Sequence, residues 1–224
     1  MKHIAIGAAL NIPEGSVGDL ASFYAVVFGW TFDPTDDCFL LGEEIVAVVQ
    51  HRIGESGWAP LVCHAGEPGV VHGPGGEWAI NDPNSADQHY EPNHKVHGRL
   101  SWIQLNTDAP ERAAAFWTVL LGWELGPSDN DKFTYWRFLD GGRALAGMMG
   151  IDQRSGSMPC AWQLYFHASE PRSLTEAIEQ GGGTIVVSVT RLVGGWFVVA
   201  RDPAGNLFAA DHMQHEPLVE GERE

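Results

Sequence analysis

The feature that most restricts what this chain can become is a stretch that it carries twice. Phe23-Tyr24-Ala25-Val26-Val27-Phe28-Gly29-Trp30 and Phe116-Trp117-Thr118-Val119-Leu120-Leu121-Gly122-Trp123 share one shape: two aromatics, a short apolar run, then Gly-Trp. Leu20, Phe23, Tyr24, Val27 and Phe28 fall on one stripe of a helix, as do Phe116, Trp117, Leu120 and Leu121 in the second copy. Each glycine stands where a helix C-terminus takes up positive φ, and each tryptophan opens the strand that follows. A repeated helix-to-strand unit confines the fold to architectures that pair or stack that unit.

The flanks repeat as well. Residues 3–12 alternate, with Ile4, Ile6, Ala8, Leu10 and Ile12 on one face and His3, Ala5, Gly7, Ala9 and Asn11 on the other, which predicts a half-buried strand. Ser16 or Asp19 is placed to cap the helix. Short strands are expected over residues 30–32, 38–41 and 45–49, separated by turn residues, so the unit reads βαβββ. From residue 100 the pattern returns: Leu105-Asn106 matches Leu10-Asn11, Asp108 and Pro110 open the helix, and Leu145-Ala146-Gly147 matches Val46-Ala47-Val48.

Units two and four also correspond. Residues 63–68 line up with 166–171, bringing His64 onto His167, and Asp82-Pro83-Asn84 lines up with Asp202-Pro203-Ala204. Trp78 and Trp196 precede those Asp-Pro turns at matching places and read as core. Between these anchors the fourth unit holds Leu174, Ala177 and Ile178, a helix stripe that ends at Gly181-Gly182-Gly183. The second unit has only the Gly-rich stretch Gly69–Gly76 there, so it is expected to lack its helix. The sheet face left bare must then be covered by the other half of the chain or by a second subunit in a homodimer.

Composition narrows the function classes. A formal net charge of −16 argues against nucleic acid and anionic membrane surfaces as partners. Cys38, Cys63 and Cys160 are odd in number and show no paired spacing, which favours a reducing compartment. The opening apolar run is too short for a signal peptide, and no apolar stretch approaches the roughly 18 residues of a membrane span. A soluble cytoplasmic protein is expected, with an acidic, disordered tail over residues 216–224. No phosphate-cradling loop or nucleophile elbow is present.

The βαβββ-like units, the helices closed by Gly-Trp, and Asp202-Pro203-Ala204-Gly205-Asn206 before the last strand resemble one group. It is the glyoxalase / bleomycin-resistance / extradiol-dioxygenase family, the vicinal oxygen chelate superfamily, in its single-chain tandem form. The resemblance runs from His3 to about His212 and is weakest over residues 66–80. It implies an α+β fold of four βαβββ units, the second without its helix, forming two curled mixed sheets, each around a cleft. The modules would span residues 1–97 and 98–215, although sequence leaves open which units pair.

Enzymes of this family usually hold a divalent metal with His, Gln or Glu side chains from the first strands and from the strand after Asp-Pro-x-Gly-Asn. The matching positions are Trp102, Gln163 and Ala209 in the second module, and Gly7, Pro60 and His89 in the first. Only Gln163 and His89 carry a donor, so both clefts are expected to be free of metal and of any cofactor.

Strand parity names the residues that remain. If Ile103, Leu105 and Thr107 pack on the helices, then Trp102, Gln104 and Asn106 face the second cleft. By the same parity Trp162, Leu164 and Phe166 turn to the helix, leaving Gln163, Tyr165 and His167 on the cleft side. An indole, carboxamides, a phenol and an imidazole suit a flat organic ligand, with His64 and His89 as further candidate contacts. His167 with Tyr165 forms a candidate acid–base pair; the structural alternative has His167 ending its strand against backbone. The function expected is metal-independent binding of a small aromatic or polycyclic molecule, with acid–base chemistry on it. The alternatives are a non-catalytic drug-sequestering protein and a metal-dependent lyase or dioxygenase.

Overall fold

The computed structural model describes residues 6–13, 16–51, 56–62, 67–76, 78–82, 95–126, 135–151 and 159–213. The apolar stripes fold as helices: α1 (Val17–Phe28), α2 (Pro110–Leu121) and α3 (Pro171–Gln180). The five stripe residues of α1 are buried, whereas in α2 Ala113, Ala114, Trp117 and Leu121 are, with Phe116 and Leu120 only partly covered. Gly29 and Gly122 close their helices at φ 73° and 68°, the left-handed conformation that a side chain would strain. The caps at the other ends differ from expectation. Ser16 occupies the N-cap of α1, but its hydroxyl donates to the Pro13 carbonyl at 2.5 Å instead of accepting from the helix. Ala109 rather than Asp108 precedes α2, whose first residue is Pro110.

The first sheet holds β1 (Ile6–Asn11), β2 (Thr31–Asp33), β3 (Cys38–Leu41), β4 (Glu44–Gln50), β5 (Gly57–Val62), β6 (Gly69–His72) and β7 (Trp78–Asn81) in the order β2-β3-β4-β1-β5-β7-β6. The second holds β8 (Leu100–Thr107), β9 (Glu124–Leu125), β10 (Tyr135–Asp140), β11 (Arg143–Gly150), β12 (Ala161–His167), β13 (Thr184–Leu192), β14 (Gly195–Arg201) and β15 (Leu207–Met213) in the order β13-β14-β15-β12-β8-β11-β10-β9. Consecutive units therefore pair. The antiparallel seams β1/β5 and β8/β12 join them, and each of β1, β5, β8 and β12 also runs parallel to a later strand of its own unit.

Unit two departs from its expected alignment. Among the described residues it has no helix, and the Gly-rich stretch supplies β6. The strand before Asp82 pairs parallel with β5, the place that the strand after Asp202 takes beside β12. Trp78 and Trp196 are consequently not equivalent: Trp196 joins the main core, while Trp78 packs with Ala9, Leu61 and Ile80 on the opposite face of the first sheet.

The main core runs unbroken between the two sheets. Helix α1 packs beside α3, and its Phe23 and Phe28 meet Phe208 of β15 at 6.0 and 5.9 Å between ring centres. Phe166 of β12 lies 5.0 Å from Trp58, 5.1 Å from Trp30 and 5.4 Å from Phe28. The bare face of β5 is thus covered within the chain, by the second sheet. A buried polar relay crosses the same boundary: Trp58 Nε1 donates to the Tyr24 hydroxyl at 2.9 Å, and that hydroxyl donates to Asp202 Oδ2 at 2.8 Å. Asp202 also accepts from the Ala204 and Asn206 amides and from Asn206 Nδ2, so the Asp-Pro-x-Gly-Asn turn is a structural knot. Burial pushes the Asp202 carboxyl above its usual range, against the opposing pull of the Asn206 and Tyr24 hydrogen bonds.

Candidate functional site

Parity on β8 and β12 resolves as the alternation predicts. Ile103, Leu105, Trp162, Leu164 and Phe166 join the helix-side core, which leaves Trp102, Gln104, Asn106, Gln163 and Tyr165 on the other face. Gln104 stands opposite Gln163, and Trp102 opposite Tyr165, across the antiparallel seam. On a flat solvated sheet such side chains would be exposed, yet Trp102 and Gln163 are each 5% exposed and Asn106 2%. The sheet therefore encloses them as a cleft would.

The polar atoms in this cleft are partly paired. Gln104 Nε2 donates to Asn106 Oδ1 at 2.8 Å, and Trp102 Nε1 donates to the Tyr135 hydroxyl at 3.1 Å. Gln163 Nε2 is buried with no hydrogen-bond partner. Tyr165 sets its ring 6.4 Å from Phe197, and its phenol is raised well above its ordinary pKa. Burial is the main cause, with the Tyr135 phenol and the Asp211 carboxylate adding to it. It is a proton donor at any physiological pH, not a base. Asp211 is fully buried beside Ser101, whose Oγ lies 2.6 Å from Asp211 Oδ1 and 2.9 Å from the Tyr165 carbonyl oxygen.

His167 ends β12. Its backbone carbonyl accepts from Gly98 N and its amide donates to the Arg99 carbonyl, tying down the chain that leads into β8. The ring is buried, 5.0 Å from that of His212, and Nδ1 has no partner. Burial lowers its pKa, His212 and His97 lower it further, and Asp211 works against them, so the imidazole is neutral at pH 7. His64 and His89 lie outside the described residues.

Tyr135 and Gly147 belong to the site and were not named by the sequence. A Cβ on Gly147 would run into the Tyr135 hydroxyl and come within 3.0 Å of Trp102 Nε1. Glycine there lets the phenol lie across β11 and reach the indole. Counting outward from Phe138, which matches the helix-facing Phe39, places Tyr135 and Arg137 on this face by alternation.

The register also tests whether a metal would fit. Gly7, Leu61 and Ile80 sit side by side on the first sheet as Trp102, Tyr165 and Ala209 do on the second. The counterpart of Gln163 is therefore Ala59, one residue from the expected Pro60, and that of Ala209 is Ile80 rather than His89. The first sheet offers no side-chain donor at these three positions and the second offers one amide, a donor set that does not suit a divalent ion. Among the described residues no group of three or more His, Cys, Asp or Glu side chains converges.

Two βαβββ-derived pairs, each closed by an antiparallel seam and joined in one chain, define the vicinal oxygen chelate fold in its tandem form. Comparison with known proteins agrees. Residues 102–210 match the family model described as a glyoxalase-like domain. The 2,3-dioxygenase LapB from Pseudomonas sp. KL28 superposes with a TM-score of 0.60 at 13% identity, over 99% of this chain and 96% of that one. The Mn(II)-bound glyoxalase from Novosphingobium aromaticivorans gives 0.55 at 15% identity, over 95% and 83%. The anthracycline biosynthesis protein DnrV of Streptomyces peucetius is 29% identical over 128 residues, 50% of this chain and 46% of that one. DauV of Streptomyces sp. strain C5 is 28% identical over the same shares. The chain thus spans about half the length of the curated relatives it matches. Residues 102–210 resemble a glyoxalase-like domain, and the whole chain takes the tandem, two-module fold of those dioxygenase and glyoxalase structures. Among the described residues no helix is long and apolar enough to cross a membrane.

Proposed function

We propose that the second cleft binds a planar, polycyclic organic molecule without the help of a metal. The observation that carries this is the row Trp102, Gln104, Asn106, Gln163 and Tyr165, enclosed on the helix-free face, with the Gln163 amide buried and unpartnered. A buried amide without a partner costs about 1–3 kcal/mol, a cost that a bound ligand would remove. The indole supplies a stacking surface and the polar row an orientation. The likeness to anthracycline biosynthesis proteins supports a polycyclic ligand. As an enzyme, the protein would use the Tyr165 phenol as acid toward a ligand oxygen and neutral His167 as base; without turnover the same cleft sequesters its ligand. We take the protein to act in a reducing cytoplasm, with Cys38 and Cys160 as thiols. We take the module boundaries to be 1–97 and 98–215. Sedimentation tests the homodimer, since the bare face that suggested one is met within the chain.

The test is calorimetric titration with the uncharged probe 2-(hydroxymethyl)anthracene after EDTA treatment. One site per chain, unaffected by EDTA and weakened about tenfold or more in Trp102→Ala, is expected. No binding, or binding that returns only with added Mn(II) or Fe(II), overturns the reading. So does more than about half an equivalent of Fe, Zn, Ni or Mn in the purified protein.

A further inference from the structure

Resting on that reading, we propose that the second cleft recognises its ligand through two uncharged carbonyl oxygens, and so selects a quinone-class polycycle over a hydrocarbon of the same shape. Gln163 and Tyr165 are two residues apart on β12 and share a face, which sets them about 7 Å apart along the strand. The Gln163 Nε2 group is buried with no hydrogen-bond partner, and the Tyr165 phenol stands beside it on the same strand face. The phenol keeps its proton, so both groups present donors. Two adjacent donors, one of them buried and unpartnered, call for two acceptors on the ligand.

Those acceptors are neutral. A chain of formal charge −16 repels carboxylates, sulfates and phosphates at long range. The cation nearest in register, Arg137, is three strands from Gln163, across Gln104 and Gly147; it makes an interaction within the protein, and its Nη1 is buried with no hydrogen-bond partner. Carbonyl oxygens conjugated to a flat ring system supply acceptor strength without charge and leave the ring free to stack on Trp102. A site built to hydrogen-bond a ligand discriminates strongly against the analogue lacking the group, because its own buried donor is then stranded.

The experiment compares 2-(hydroxymethyl)anthraquinone with 2-(hydroxymethyl)anthracene, uncharged probes that share three fused rings and the hydroxymethyl group and differ in two carbonyl oxygens. The wild-type chain is expected to bind the quinone about tenfold or more tightly than the hydrocarbon. Gln163→Leu and Tyr165→Phe should each weaken the quinone about fivefold while leaving the hydrocarbon within about twofold. Equal affinity for the two probes in the wild type overturns the inference and leaves ligand binding in the cleft standing. Binding of neither probe overturns both. If the variants lose quinone and hydrocarbon alike, the two side chains hold the cleft's shape rather than read oxygens, and their assignment falls. The wild-type comparison decides the matter even if a variant fails to fold.

Discussion

The two sheets present the same positions with opposite chemistry. Where the second carries Gln104 against Gln163, the first carries Ala9 against Ala59; where the second carries Trp102 and Tyr165, the first carries Gly7 and Leu61. Gly147, which makes room for Tyr135, is answered by Val48. Only the pair Asn11 and Asn106 keeps its residue type. The first face has closed on itself: Ala9 and Ile80 are fully buried and Leu61 is 3% exposed, with Val48 and Trp78 packed beside them. A dry apolar surface stabilises the module at the cost of a place for a ligand, whereas a polar enclosed row does the reverse. The two halves, joined by one core, thus differ in which of these demands their faces suit.

That shared core gives the largest expected effect. Phe166→Ala removes a ring that touches Trp58, Trp30 and Phe28 of the first half, and should cost about 4 kcal/mol. Chemical denaturation should still show one cooperative transition, displaced to lower denaturant. Two separated transitions would mean that the halves are independent, and the division of labour between them would lose its physical basis. Next comes the dry face itself. Ile80→Asn places an amide among the apolar side chains of Ala9, Leu61, Val48 and Trp78 and should cost about 3 kcal/mol, with 2-(hydroxymethyl)anthracene affinity unchanged in the folded fraction. A change in affinity would show that the first face also serves a ligand.

Much of this arrangement was legible in the sequence because its signals are local. The stripe Leu20, Phe23, Tyr24, Val27, Phe28 and the alternation Trp102, Gln104, Asn106 depend only on the periods of helix and strand, and both settled as read. The pairing of neighbouring units was not legible, since the seam Gly7–Leu61 is a long-range register that no local pattern encodes. The one-residue error that put Pro60 in place of Ala59 has the same origin: a slip of one turns every side chain to the other face. Unit two misled most. With no helix among its described residues, unit two sets the strand before Asp82 in the position that the strand after Asp202 holds, and a match of Asp-Pro turns could not show it. Tyr135 was missed because it reaches the cleft through a gap left by a glycine on another strand.

The comparison extends to protons. Of the described histidines only His167 is buried, and its pKa is lowered, so the unfolded chain binds that proton before the folded one does. Its contribution is fully present above the unfolded value near 6.5 and is lost as pH falls below it, by at most about 1.4 kcal/mol per pH unit. Urea denaturation between pH 7.5 and 5 (about this range suffices) should show a steeper loss in the wild type than in His167→Gln. Equal slopes would place the imidazole in contact with water and remove it as a neutral base.

The smallest effect is the most pointed. If Gln163 is kept for a ligand rather than for the fold, its buried Nε2 group is a standing cost in the empty protein. Gln163→Leu should then raise the stability of the ligand-free chain by about 1 kcal/mol, because leucine fills similar space with nothing to desolvate. The reciprocal change on the first sheet, Ala59→Gln, should destabilise, since it forces an amide in beside the buried apolar side chains Ala9, Leu61 and Ile80. Thermal denaturation of the two variants reads both signs in one experiment. Should Gln163→Leu lower stability instead, the amide is satisfied within the fold, and the second face is only a wetter version of the first.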